Sequence, residues 1–179
     1  GGSNDFGELT EDSNDHHGSS NGRRGIFSMG YPSYSGKLTY ITLASTGSAN
    51  EFGSVTSPPS VADAGGINSP TRAIFAAGAG SPAYLKAIEF VTIATLGDSQ
   101  DFGEVSTAVR NLYSACSSTR GVFAGAQTSS NSPYSYVNTI ELLTIATLGN
   151  TSDFGDMTQA RSRGAGVSNS IRGVFLGGI

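Results

Sequence analysis

Ile140-Glu141-Leu142-Leu143-Thr144-Ile145-Ala146-Thr147-Leu148-Gly149-Asn150-Thr151-Ser152-Asp153-Phe154-Gly155-Asp156-Met157 carries the pattern from which the architecture of this chain follows. β-Branched and aliphatic residues lead into a glycine and then into an acid followed by Phe-Gly. Such segments on either side of a glycine-bearing turn read as a β-hairpin. The stretch recurs. Tyr40-Ile41-Thr42-Leu43-Ala44-Ser45 and Phe90-Val91-Thr92-Ile93-Ala94-Thr95 stand where Leu142 to Thr147 stands. In each copy the threonine lies ten residues before the phenylalanine (42 to 52, 92 to 102, 144 to 154), with Gly47, Gly97 or Gly149 between them.

Working outward, the acid-Phe-Gly tripeptide occurs as Asp5-Phe6-Gly7, Glu51-Phe52-Gly53, Asp101-Phe102-Gly103 and Asp153-Phe154-Gly155. A second signature interleaves with it: Arg24-Gly25-Ile26-Phe27, Arg72-Ala73-Ile74-Phe75, Arg120-Gly121-Val122-Phe123 and Arg172-Gly173-Val174-Phe175. These arginines are 48, 48 and 52 residues apart, and a period near 50 residues marks a repeat architecture. A short strand precedes each arginine, as in Gly164-Ala165-Gly166-Val167-Ser168, joined to it by a polar turn such as Asn169-Ser170-Ile171. Each repeat therefore reads as four short strands in two hairpins, and no segment shows capped helical periodicity.

Four-stranded antiparallel units at this period predict the blades of an all-β propeller. A blade has an apolar face that only a neighbouring blade can bury. Phe27, Phe75, Phe123 and Phe175, with Phe52, Phe102 and Phe154, are expected between blades. Gly78, Gly125, Gly177 and Gly178 are expected where backbones crowd.

Composition agrees. Charged residues make up 13% of the chain, about half the usual share. Glycine supplies 25 of 179 residues, about twice the usual frequency. Few charges and many small residues suit short strands and turns, and a particle surface or extracellular setting. The net charge of −4 comes without a basic cluster, which argues against nucleic-acid binding. No apolar run reaches the roughly 20 residues of a helical span, so no membrane insertion is expected. The single cysteine, Cys116, excludes an intrachain disulfide and reads as a small packing residue of a strand.

A second strand ending in glycines, an aliphatic third strand, an aromatic in the fourth and an arginine (Arg110, Arg161) before the next first strand together resemble the kelch repeat. The chain departs from that pattern in having no tryptophan, phenylalanine standing in its place, and in keeping an intact diglycine only at Gly177-Gly178. Ile140 to Met157, and Ile88 to Val105, resemble more closely the kelch-like repeats of marine bacteriophage virion structural proteins. That resemblance extends over residues 5–178. It implies a structural or adhesive propeller of a virion (tail, fibre or decoration protein) that mediates assembly or host-surface attachment, with other virion proteins and surface glycans as partners. The second reading is a secreted or cell-surface propeller that binds carbohydrate or protein, including within an extracellular filament.

Counting strands over residues 1–179 places the outer strand of a preceding blade at 1–10 and blades at 11–57, 58–107 and 108–158. The first two strands of a further blade fall at 159–179. The expectation is thus a chain that covers part of a ring, its open edges closed by remaining blades of a longer chain or by strand-exchanged copies of itself.

An acid (Asp5, Glu51, Asp101, Asp153) and an arginine (Arg24, Arg72, Arg120, Arg172) in each repeat could form a carboxylate ring about the axis. The favoured reading is a repeated ion pair or turn hydrogen bond that holds blade geometry. The loop between second and third strands varies most, spanning 13 (27 to 40), 15 (75 to 90) and 19 residues (123 to 142). It carries Tyr34, Tyr84, Tyr134 and Tyr136, the candidate ligand-binding residues. The adjacent His16 and His17 point to opposite sides of a strand and are read as a solvated edge, not a shared metal site. Asn150-Thr151-Ser152 is a glycosylation sequon. No nucleophile elbow, zinc spacing or phosphate-cradling loop is present in the sequence. The expectation is therefore no enzyme, no cofactor and no metal.

Overall fold

The computed structural model describes residues 2–32, 35–56, 62–80 and 83–179. Each interval between successive Phe-Gly signatures folds into one antiparallel sheet whose strands lie side by side in chain order. The first sheet holds β1 (His17–Ser20), β2 (Arg24–Ser28), β3 (Lys37–Thr42) and β4 (Asn50–Ser54). The second holds β5 (Gly65–Asn68), β6 (Arg72–Ala76), β7 (Leu85–Thr92) and β8 (Gln100–Val109). The third holds β9 (Tyr113–Cys116), β10 (Arg120–Gln127), β11 (Tyr136–Thr144) and β12 (Ser152–Asp156). A last pair, β13 (Ala165–Ser168) and β14 (Gly173–Leu176), forms a two-stranded sheet. Register repeats as well: Phe27 faces Gly18 and Thr39, Phe75 faces Gly66 and Glu89, and Phe123 faces Ser114 and Glu141.

The tight turn that opens each blade has a local cause. Three residues before each arginine stands a short polar side chain: Asn21, Ser69, Ser117 or Asn169. Asn21 Oδ1 accepts from the N–H groups of Arg23 and Arg24, both at 3.0 Å, and Asn169 Oδ1 accepts from Ile171 and Arg172, both at 2.8 Å. Ser69 and Ser117 do the same with their hydroxyls. A side chain that mimics a backbone turn reverses the chain without requiring glycine.

β1, β5, β9 and β13 neighbour one another at the axis, so the sheets radiate as propeller blades. The core lies between blades. Ile26, Phe52, Phe75, Val91 and Ile93 pack between the first two, and Phe90, Phe102, Phe123, Leu143 and Ile145 between the second and third. Phe90 and Phe102 meet edge to face, with ring centres 5.8 Å apart. Burying each phenylalanine contributes about 1.5–3 kcal/mol. The second-strand phenylalanine faces the preceding blade and the Phe-Gly phenylalanine the following one. Phe52 and Phe102 are accordingly buried, while Phe6 and Phe154, at the two flanks, are 36% and 62% exposed.

The Phe-Gly signature joins one blade to the next at the rim. The Gly97 N–H donates to the Phe52 carbonyl at 2.9 Å, and the Ser99 N–H to the Ser54 carbonyl at 2.9 Å. In return the Ser54 N–H donates to Asp98 Oδ1 at 2.9 Å. Gly149, Thr151 and Asn150 make the same three bonds to Phe102 and Glu104. Gly47, Ala49 and Ser48 make them to Phe6 and Glu8. Glycine is required because the backbones touch: a Cβ on Gly53 or Gly103 would overlap the carbonyl of Gly97 or Gly149. Gly103 also has φ 149°, where L side chains are strained.

A buried carboxylate adds a second link. Glu89, only 2% exposed, accepts from Thr56 Oγ1 of the preceding blade at 3.2 Å and from Ser99 Oγ of its own. Glu141 accepts from the Ser106 N–H and hydroxyl of the preceding blade and from Thr151 Oγ1 at 2.6 Å. The first blade has Thr39 and Ala49 at these positions and lacks the link.

Three sequence expectations change. The outer strand expected at residues 1–10 is not a strand over the described residues 2–10, which the Gly47 and Ala49 N–H groups hold through the Phe6 and Glu8 carbonyls. The repeated arginines do not pair with the repeated acids. Arg24 Nη1 donates to the Ile93 carbonyl at 2.9 Å and Arg72 Nη1 to the Ile145 carbonyl at 2.7 Å, each reaching the third strand of the next blade. The guanidinium groups also stack on Tyr40 and Phe90. Finally, Arg110 and Arg161 are not equivalent. Arg110 exchanges backbone bonds with Gln127 as Ser162 does with Ile179, so Arg161 stands one register earlier.

Gly103→Val removes one rim junction and strains the backbone. A loss of about 2–4 kcal/mol is expected in urea unfolding of the 179-residue chain. Wild-type stability in that variant would show that the close approach is not needed.

Candidate functional site

In every blade the first and third strands run one way and the second and fourth the other. The loops that precede first strands and those that join second to third strands therefore share one end of the molecule. At that end Asp15, Asp63, Asn111 and Arg163 occupy equivalent positions, each nine residues before the second-strand arginine. All four are left-handed, with φ of 57°, 58°, 57° and 62°. Asp and Asn adopt this region with little penalty; an arginine does so only when its surroundings hold it there.

A chain of backbone bonds supplies the hold. The Asp63 N–H donates to the Asp15 carbonyl at 3.3 Å, Asn111 to Asp63 at 2.8 Å, and Arg163 to Asn111 at 3.2 Å. The residue before each of the first three is pinned from outside by the end of the second strand or the loop that follows it: Asn14 bridges Tyr31, Ala62 bridges Ala79, and Arg110 bridges Gln127. The backbone thus carries four side chains to the mouth of the axial funnel at the same angle. Asp15, His17, Asp63, Arg110, Asn111 and Arg163 line a cavity of about 490 Å³ there.

The mouth is electrostatically mixed. Arg110 Nη1 lies 3.4 Å from Asp63 Oδ2, and its guanidinium sits 5.0 Å from the Tyr84 ring centre. Even so, burial and the nearby Asp15 carboxylate raise the Asp63 pKa against the pull of Arg110 and Arg163. His17 is held neutral. Burial, with a smaller contribution from His16, lowers its pKa from 6.5 to about 4 in spite of the Asp15 carboxylate. Arg110 Nε and Asn111 Nδ2 are buried without a hydrogen-bond partner among the described residues. Donors, acceptors and both signs of charge converge on one concave surface, a set suited to a polar ligand that bears several hydroxyl or charged groups.

The residues singled out from the sequence fall elsewhere. Tyr34 lies outside the described residues. Tyr84 is packed, its ring against Arg110 and its hydroxyl accepting from Gln127 Nε2 at 3.3 Å. Tyr134 is 52% exposed, and Tyr136 is half-buried as the first residue of β11. Tyr84 is the one of these that touches a mouth residue among the described contacts. Asp5, Glu51, Asp101 and Asp153 are exposed at the outer rim and do not gather at the axis. Asp5 and Asp153 cap the N–H of their own Phe-Gly glycine at 3.1 Å. His17 lines the cavity instead of lying on a solvated edge. Asn150 of the sequon caps the Glu104 N–H. Cys116 packs against the core from β9, its Sγ 3.8 Å from Asn68 Oδ1. The mouth positions are not conspicuous in the sequence because no single residue type occupies all four. Their common signal is their offset from the arginines.

No family model matches the chain, and no curated protein matches it. Among solved structures, YjhT is similar in fold, with a TM-score of 0.60 and 17% sequence identity over 74% of this chain and 42% of YjhT. The chain therefore spans less than half the length of that protein, and at this identity the likeness speaks for the fold alone. Blade order, radial packing and this likeness together make the fold a kelch-like β-propeller.

The His17 shift carries a pH dependence with a definite sign. Between pH 6.5 and about 4 the unfolded chain takes up a proton at His17 that the folded chain refuses, so stability falls on acidification through this window. Asp63 works in the opposite sense, because its raised pKa lets the folded chain take up a proton first. His17→Gln is expected to flatten the slope of Tm against pH over that window. An unchanged slope would remove His17 as its source.

Proposed function

We propose that the chain is a non-enzymatic binding module whose axial mouth takes a polar, hydroxyl-rich ligand, a terminal sugar of a surface glycan being the chemistry that fits. A β-propeller-like fold supports a binding or interaction module in general; the choice of ligand and end rests on one observation. The four mouth positions share a left-handed φ of 57–62°, yet carry Asp, Asp, Asn and Arg. Residues that hold blade geometry repeat in kind: phenylalanine, glycine and arginine. Where the backbone is fixed and the side chains diverge, shape is constrained by the fold and chemistry is not, which suits an asymmetric ligand. Guanidinium and carboxylate groups together can engage the vicinal hydroxyls and charged substituents of a sugar.

The virion setting is the finer part of the proposal. It is supported by the resemblance of residues 140–157 and 88–105 to phage repeats, and it makes host-surface attachment or particle assembly the purpose of the module. Detection of the polypeptide by mass spectrometry in purified particles tests it; recovery solely from a secreted or cell-surface fraction favours the extracellular alternative.

For the binding site, the 179-residue chain is applied to a glycan array and its best ligand is titrated. Arg163→Gln and Asp15→Asn, both at a solvent-accessible mouth, are expected to weaken binding at least tenfold, about 1.4 kcal/mol, with little change in Tm. Undiminished binding in both variants, with loss on Tyr134→Ala, would move the site to the loops. Chemical conversion of the bound sugar would end the non-enzymatic reading.

A further inference from the structure

One junction departs from the repeat at several positions at once, and the departures meet at a single side chain. The residue before each mouth position is Asn14, Ala62, Arg110 or Ser162. Each exchanges two backbone bonds with one partner, which is Tyr31, Ala79, Gln127 or Ile179 respectively. The same pair of bonds thus forms with asparagine, alanine or serine, and blade geometry does not call for an arginine there. Three neighbours fix the Arg110 side chain. Its guanidinium carbon lies 5.0 Å from the Tyr84 ring centre, and Nη1 lies 3.4 Å from Asp63 Oδ2. Tyr84 is itself held at both ends: its backbone bridges Ala79, and its hydroxyl accepts from Gln127 Nε2 at 3.3 Å. Gln127 is only 1% exposed, and its Nε2 also donates to the Ser129 carbonyl at 2.6 Å. Tyr84 and Asp63 of the second blade, with Gln127 of the third, close a circuit of contacts around one guanidinium.

What fixes this group does not satisfy it. At 3.4 Å the Asp63 contact is longer than the roughly 2.7–2.9 Å of a good charge-assisted bond. Nor does Arg110 outweigh burial and Asp15 in the titration of Asp63, whose pKa is raised. Arg110 Nε has no hydrogen-bond partner among the described residues, and neither has Asn111 Nδ2 on the next residue. Both residues line the mouth cavity. A guanidinium stacked on a ring still presents its in-plane N–H groups to an acceptor. One hydroxyl can serve one such donor, whereas an oxyanion brings several acceptor atoms and a compensating charge. Asp15 and Asp63 border the same cavity and repel a doubly charged group, so a singly charged carboxylate or sulfate ester fits better than a phosphate monoester. We propose that the sugar bound at the mouth carries such an acidic substituent, that Arg110 selects it, and that Tyr84 is a positioning residue that holds Arg110 for this contact. This assignment rests on the glycan reading of the mouth and narrows its ligand to acidic sugars.

The probes are glucose and galactose, the two matching uronates and the two matching 6-sulfates, each displayed on the same carrier and titrated against the 179-residue chain by biolayer interferometry. The readout is the ratio of acidic to neutral affinity within one sugar series, which a general loss of stability does not shift. At least one acidic form is expected to bind about tenfold more tightly than its neutral parent, and the larger of the uronate and sulfate ratios identifies the substituent. Arg110→Ser, which installs the residue found at the equivalent position of the last pair of strands, should bring that ratio close to one. Tyr84→Phe keeps the ring against the guanidinium and should retain most of the preference, whereas Tyr84→Leu should reduce it severalfold. The double variant Arg110→Ser/Tyr84→Leu should be no less selective than Arg110→Ser alone, because a positioning residue acts only through the group it positions. Equal binding of neutral and acidic sugars overturns the assignment and leaves the glycan reading standing. Absence of binding to all six also overturns it, and the glycan reading falls with it if the glycan array is blank as well. A preference that survives Arg110→Ser removes Arg110 from the role, and a wild-type ratio in Tyr84→Leu removes Tyr84.

Discussion

The N–H of a turn glycine, donated to the phenylalanine carbonyl of the blade before it, sets the spacing of everything else in this fold. It occurs at Gly47, Gly97 and Gly149. Around it lie a second backbone bond and a side-chain cap, which together contribute about 3 kcal/mol per junction at the usual net value of a hydrogen bond. At the axis a second series of backbone bonds runs through Asp15, Asp63, Asn111 and Arg163. The first and second blades are thus each tied to the next at both the inner and outer margins. The phenylalanines between them fill a gap whose width the two ties determine. Stability in such an array is a sum of blade and junction contributions, and Phe52 and Phe102, inside filled junctions, are buried.

Much of this was legible in the sequence because the ties use residue types that nothing else can replace. Only glycine permits the rim contact, so Phe-Gly repeats visibly, and only an aromatic of that size fills the gap. The partners of the arginines were not legible. An arginine and an acid in every repeat suggest an ion pair, but Arg24 and Arg72 donate to carbonyl groups, which every residue possesses and no sequence displays. The carboxylates that do enter the interior, Glu89 and Glu141, sit in an aliphatic run where the pattern calls for strand. Their hydroxyl partners lie both in the turn that follows and in the preceding blade. The axial ring was hidden for a related reason. It is a property of backbone conformation, and Asp, Asn and Arg side chains share it.

The separation of rim from mouth has an energetic logic. At the rim any change of side chain meets another backbone, so variation is excluded by overlap. At the mouth the side chains project into an open cavity, and a change alters charge without disturbing the ties. The arrangement still has a cost, visible in His17 and Asp63, whose pKa values move away from the charged state because the cavity wall desolvates them. Groups left with unmet polarity in a fixed frame hold little stabilising energy of their own and much that a ligand could recover.

Direction is the remaining consequence of the tie. Each blade has a face that gives, with its arginine, phenylalanine, glycine and hydroxyl, and a face that receives, with its turn glycine, third-strand carbonyls and buried glutamate. Unlike faces join head to tail, and such an interface closes only when the rotation per unit completes a circle. The two flanks are therefore not alike. On the first blade the receiving turn is occupied by residues 5–8, but Thr39 and Ala49 stand where the glutamate and hydroxyl would be, so that face binds through two backbone bonds and the Ser48 hydroxyl. On the third blade every giving group is present: Arg120, Phe154, Gly155 and Thr158.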